Sequence, residues 1–168
     1  TYPSVTVVGG NWDASNQSQV WSDLVTVSNN IDGNYPVTNA FDGSISTLVG
    51  ANAGQTVTLN FGTTFSSTPV ALEVYSAWGR NISVDGTLIG AAPAGSTGGW
   101  LDCGTLAFTE IAVANFSQGG GAIYAIKVNG KLLVDAGVRN LGDRKIVSSI
   151  PYEKSLTFAD TTQLANMV

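Results

Sequence analysis

Asn129-Gly130 constrains this chain more than any other pair of residues. Residues 122–135 read Ala-Ile-Tyr-Ala-Ile-Lys-Val-Asn-Gly-Lys-Leu-Leu-Val-Asp, two apolar-alternating runs that meet at a dipeptide suited to the two positive φ angles of a type I′ turn. A β-hairpin there is close to forced. The rest of the chain repeats the grammar, with strand-like runs at 4–8, 19–27, 55–61, 70–76, 81–84, 87–89, 100–108, 110–116, 122–128 and 131–134. Between them stand Gly9-Gly10, Asp32-Gly33, Asp42-Gly43, Asp85-Gly86, Gly98-Gly99 and Gly119-Gly120-Gly121. Short strands with regular turn signals predict an all-β fold, an antiparallel sandwich or barrel. Helix is expected at most as one turn over 38–41, with a second place at 161–167, where Asp160 is positioned to cap.

Period-two alternation names the buried face. Val70, Leu72 and Val74 share one side of their strand, while Ala71, Glu73 and Tyr75 share the side near solvent or an interface. The expected core is Val57, Leu59, Phe61, Leu72, Val74, Ile82, Val84, Ile111, Val113, Ile123, Ile126 and Val128, with Phe108 and Phe116 beside them. At roughly 1.5–3 kcal/mol per large side chain buried, that set supports one sandwich. Trp12 and Trp21 are expected to pack the first strands against the sandwich or against another subunit, and Cys103 to be a small buried apolar residue. The expected division is 1–136, a sandwich with an N-terminal arm, and 137–168, an extended connector or subunit-contacting tail holding the short run Leu156-Thr157-Phe158; the alternative is an ordinary C-terminal strand folded back on its own domain. A start at Thr1 and a stop at Val168 suggest a piece of a longer polypeptide.

Composition narrows function. Only 11% of residues are charged, so the surface must be built from hydroxyls, amides and glycine, which suits an extracellular particle or a packed assembly. A net charge of −5 with scattered Lys and Arg argues against a nucleic-acid partner. No run reaches the roughly 18 apolar residues of a membrane-spanning helix, and no insertion into a membrane is expected. There is no histidine and a single cysteine, so a Ser-His triad, an intramolecular disulfide and a cysteine metal cage are all excluded. Paired carboxylates remain the one catalytic option, from Asp102, Glu110, Glu73 and Asp85. Nothing local joins them, and the expectation is a protein that is not an enzyme.

Two groups of residues are candidates for binding. Asn39, Asp42, Ser44 and Thr47 offer hard oxygen atoms in one loop, the donor type that a structural calcium accepts; alternatively, Asp42 closes the turn through its own carboxylate and needs no ion. Trp78 and Arg80 follow one strand, and Trp100 follows the small-residue loop 91–99. Indole faces stack on pyranose C–H faces while a guanidinium bonds hydroxyls, so these three form the candidate sugar site; the competing role for each Trp is a core lid or interface residue. The loop at 91–99 is expected to be mobile when free.

Asn39-Ala40-Phe41-Asp42-Gly43 followed by the hairpin ending Asn129-Gly130-Lys131-Leu132-Leu133-Val134-Asp135 resembles repeat modules of tail-fibre and structural proteins of marine and cyanobacterial phages, over residues 37–135. Residues 155–164 resemble the linkers between such modules. The same loop and late hairpin are similar to discoidin-like, galactose-binding jelly rolls. That second resemblance implies an eight-stranded sandwich, in some members with calcium at the Asp-Gly loop and ligand at the loops of one end. This chain keeps Asp42-Gly43 and lacks the disulfide common in animal members.

The resulting expectation is a non-enzymatic phage virion protein on the virion surface, a tail-fibre or surface adhesion module. It would be a homo-oligomer, a trimer, that contacts other virion proteins and host surface glycan. A capsid decoration protein of the same fold and a carbohydrate-binding module of a secreted bacterial glycosidase are the alternatives.

Overall fold

Among the described residues, twelve strands, one helical turn and one 3-10 turn follow each other: β1 (Val5–Val8), β2 (Ser15–Asn16), α1 (Trp21–Leu24), β3 (Thr26–Val27), the 3-10 turn Val37–Ala40, β4 (Val49–Gly50), β5 (Val57–Ser76), β6 (Asn81–Val84), β7 (Thr87–Ala91), β8 (Gly99–Ala114), β9 (Ala122–Ile123), β10 (Ala125–Val128), β11 (Lys131–Leu133) and β12 (Lys145–Ser148). The structure, a computed structural model, describes residues 5–8, 15–28, 31–114, 119–137 and 145–148. They fall into two units, residues 1–10 with 141–168, and residues 11–140. In the first, β1 pairs antiparallel with β12, with Val5 opposite Ser148 and Val8 opposite Lys145. The segment 137–168 therefore supplies a strand that pairs with the N-terminal run 4–8. Trp12, Phe116, the run 156–158 and the helix expected at 161–167 lie outside the described residues.

The larger unit is an all-β antiparallel sandwich organised by its two longest strands, β5 and β8. Sequence reading divides each into two, at 55–61 and 70–76 and at 100–108 and 110–116; each pair of runs is one continuous strand. Pairing survives the polar stretch between them because Phe65 still stands opposite Phe108, and the surplus residues of β5 are taken up by register shifts between Asn60 and Phe65 and between Phe65 and Val70. Extra residues on one strand bend a ladder, and here they divide the pair into two halves. The first half of β5 pairs with the second half of β8, with β3 on the β5 side and β6 then β7 on the β8 side. The second half of β5 pairs with the first half of β8 and with β10, which continues to β11 and, in parallel, to β2. The short pair β4–β9 lies off this path.

Both halves bury side chains in a single core. Val57, Leu59, Ile82, Val84, Ile111 and Val113 come from one half, and Val70, Leu72, Val74, Cys103, Ile126 and Val128 from the other. Every described residue of the expected core is buried, Phe61, Phe108 and Ile123 included. Where the strands bend, an aromatic cluster fills the corner: Phe65 stacks on Phe108 at 5.0 Å, Phe61 meets Phe108 edge-on at 5.5 Å, and Trp21 stacks on Phe65 at 5.9 Å. Phe41 closes on Phe61 from the loop 39–43 and is wholly buried, so the Asn-Ala-Phe-Asp-Gly motif is a plug in the core.

Residues 19–27 do not form the expected strand. The chain makes the α1 turn and only then β3, because partners far away in sequence hold it. The Asp135 carboxylate accepts from the Ser22 amide at 2.9 Å and the Ser22 hydroxyl at 2.6 Å, and the Trp21 indole N–H donates to the Asn16 carbonyl. The single turn expected at 38–41 is the 3-10 turn Val37–Ala40. The hairpin at Asn129-Gly130 is present, with φ of +52° and +74°, Val128 opposite Lys131, and the Asn129 side chain accepting from the Ala71 amide.

Candidate functional site

β5 and β6 are joined by Ala77-Trp78-Gly79-Arg80, in which both central residues are left-handed, φ +63° at Trp78 and +66° at Gly79, and the Arg80 amide returns to the Ala77 carbonyl. The same pair of positive angles occurs at Asp85-Gly86 and at Asn129-Gly130, the two residue pairs that such a turn favours. A bulky side chain in that region crowds its own backbone, at about 1–2 kcal/mol. Trp78 nevertheless occupies it, and is 59% exposed.

The loop beside this turn is tied down. Trp78 N–H donates to Gly95 O at 2.9 Å, Gly79 N–H to Pro93 O, Ala92 N–H to Arg80 O and the Tyr75 hydroxyl to Thr97 O at 2.6 Å. Residues 93–97 remain exposed above those bonds. The loop expected to be mobile is thus fastened along its length to the Trp78 turn, and Gly98 must be glycine: its φ is +64° and a Cβ would stand 2.8 Å from the Ser76 carbonyl.

The three expected sugar contacts do not share one platform. Arg80 turns inward, its Nε donating to Gly120 O at 3.0 Å and its guanidinium also to Ala77 O, so it clamps the turn to the neighbouring glycine loop. Trp100 lies on the outward face of β8, edge-on to Tyr75 at 5.2 Å, with the Lys127 ammonium 3.8 Å from its ring centroid. Lys127 also reaches Glu73 at 3.8 Å. A ring already capped by the protein's own cation has to lose that contact before a sugar can stack on it. Of the three, Trp78 presents an open face. Tyr75, Tyr124 and Lys127 complete the outward cluster around Trp100, together with Ala125, Leu132 and Val134. Sequence reading placed Tyr75 with Glu73 on this side; only the pairing of Ala125 with Tyr75 and of Lys127 with Glu73 adds β10 to it.

In the loop that offers oxygen atoms, Asp42 accepts from the Ser44 amide at 2.8 Å through one oxygen and from the Thr47 hydroxyl at 2.6 Å through the other. Asn39 donates to the Leu48 carbonyl, and Ser44 accepts from the Ser46 amide. The four residues are brought together, and each is bonded within the loop. Among the described residues no group of three or more His, Cys, Asp or Glu side chains is placed to hold a metal ion.

Among the carboxylates, Glu73 and Asp102 stand directly opposite across β5 and β8. Each has its own partner, Lys127 for Glu73 and the Gly104 amide at 2.7 Å for Asp102. Asp85 is occupied by the Thr109 and Glu110 amides. Cys103 is the extra residue of a bulge, since Leu72 pairs with Gly104 and Glu73 with Asp102. Burial first, and then the Asp102 carboxylate, push its thiol up from an ordinary 9.0 to about 11. No family model matches this chain, and no curated protein matches it.

Proposed function

We propose that this chain is a non-enzymatic adhesion module of a phage virion, a jelly-roll sandwich carried on a tail fibre or another surface structure that holds host glycan through the end bearing Trp78. The observation that carries the reading is Trp78 itself: a residue 59% exposed, on a backbone conformation that disfavours it, in the turn that joins β5 to β6. Strain retained at a largely exposed aromatic residue supports reading it as a position kept for contact. The resemblance of the loop 39–43 and the hairpin 122–135 to phage fibre modules supplies the setting.

A single aromatic contact is weak, and adhesion through it relies on repetition. A homotrimer presents three copies of the tip, and linked weak sites gain orders of magnitude in avidity. The carboxylates support the non-enzymatic part of the reading, because Glu73, Asp85 and Asp102 each hold a partner within the fold. Sedimentation of the full chain is expected to give a trimer, and a glycan array to give binding that the Trp78→Ala variant loses. A monomer that hydrolyses glycans, or an array profile unchanged by Trp78→Ala, would sink the proposal.

A further inference from the structure

The end of the sandwich around Trp78 is assembled from four segments, residues 51–55, 76–80, 92–99 and 119–121. Backbone bonds join them: Trp78 to Gly95, Gly54 to Gly119, and Ala51 to Gly121. Arg80 ties the second segment to the fourth through Gly120. The seam is close, since a Cβ on Gly120 would lie 1.7 Å from the Ala51 carbonyl oxygen and one on Gly121 1.8 Å from that of Val113. Of all the residues in these segments Arg80 alone is charged, and its guanidinium is bonded to two carbonyls. What the end offers outward is the Trp78 indole with exposed amide and hydroxyl side chains at Asn52, Ser96 and Thr97.

We infer that the ligand at this end is an uncharged glycan, which rests on the adhesion reading above and names its ligand class. A pyranose stacks its C–H face on indole and bonds its hydroxyls to amides, hydroxyls and backbone groups, all of which the end supplies without charge. A sialylated, uronate or sulfated glycan needs a cation beside its anion; desolvating that anion with no partner is costly, and the net charge of −5 repels it. Four segments with no acid, whose one cation is bonded to backbone carbonyls, around an open indole therefore favour neutral sugars.

The test is an array carrying matched neutral and acidic glycans, lactose beside sialyllactose and galactan beside polygalacturonate, probed with the full chain at low and high salt. Neutral members are expected to retain the protein, their acidic counterparts about ten-fold less or not at all, and salt to have little effect, since no ion pair is involved. Trp78→Asn is expected to lose at least about ten-fold in retention while melting no lower than the parent, because Asn suits the turn. Stronger retention on acidic members, or retention that falls steeply with salt, overturns the neutral class and leaves adhesion standing. No retention on any glycan overturns the adhesion reading itself. Self-association abolished by Trp78→Asn, with no sugar retained, identifies the end as a contact between copies and overturns both.

Discussion

Two turns of this sandwich share a pair of left-handed backbone angles and differ in what they do with them: Asn129-Gly130 closes the β10–β11 hairpin, whereas Trp78-Gly79 joins β5 to β6, each of which pairs with β8. At Asn129-Gly130 the turn is built from residues that favour positive φ, and the Asn129 side chain accepts from the Ala71 amide of the adjoining strand. At Trp78-Gly79 the same angles hold a residue that is 59% exposed and whose indole makes no hydrogen bond among the described residues. The first turn serves folding, since local preference and tertiary contact agree. The second places a side chain where the fold alone would not put it, and neighbouring segments hold it there. Local agreement marks scaffold, and local disagreement at an exposed residue is what the adhesion proposal reads as a surface kept for a partner.

The largest expected effect separates the foundations of the two turns. Gly120, under the Trp78 end, has no room for a methyl group, because a Cβ would meet Ala51 O at 1.7 Å and Ala51 C at 2.4 Å, both backbone atoms. Gly130 has nothing within 4 Å of that position and is constrained only by its φ of +74°. Gly120→Ala is therefore expected to lose about 3 kcal/mol or more by urea unfolding, since backbone must move, against about 1 kcal/mol for Gly130→Ala. Equal losses would show that the Trp78 end is not braced by the glycine seam.

Next in size is an effect of alkali on the Asn129 side of the sheet. Cys103 lies in the bulge opposite Leu72, whose other neighbour is Val128, the residue before the turn. Its thiol is buried and pushed to about 11, by burial first and then by the Asp102 carboxylate. The native state keeps the proton to higher pH than the unfolded chain does, so the unfolded state binds fewer protons above pH 9. The contribution to stability is then fully present below pH 9 and is lost as pH rises toward 11, by about 2 kcal/mol in all. Urea titrations at pH 8 and at pH 11 are expected to show that loss in the parent beyond whatever Cys103→Ala shows. Identical pH dependence in the two would mean that water reaches this corner of the core.

The scaffold is more legible from sequence than the tip. Alternation marks Val57, Leu59, Ile82, Val84, Ile111, Val113, Ile126 and Val128 as inward because a strand's side chains obey a local rule, and Asn129-Gly130 states its turn in two residues. The α1 turn is hidden because its cap is Asp135, 113 residues after Ser22. The continuity of β5 is hidden because Gly62, Thr63 and Thr64 resemble a loop, and only Phe108 opposite Phe65 keeps the ladder intact. At the candidate site the residue types are legible and their orientation is not. Arg80 next to Trp78 suggests a sugar contact until Gly120, 40 residues later, takes its Nε, and Trp100 suggests an open ring until Lys127 covers it.

The smallest expected effect is the most discriminating, an exchange of the two turns' first residues. Trp78→Asn places a residue that tolerates positive φ in a turn that requires it, at a position 59% exposed. The expected gain is about 1 kcal/mol in urea, with loss of whatever the indole holds. Asn129→Trp does the reverse: it brings the same strain to the β10–β11 turn and removes the bond to the Ala71 amide, and is expected to lose about 1–2 kcal/mol. Together the two variants ask whether the Trp78 turn is held against its own preference. A Trp78→Asn protein less stable than its parent would place the indole among the packing residues and remove the basis for treating the two turns as different in kind.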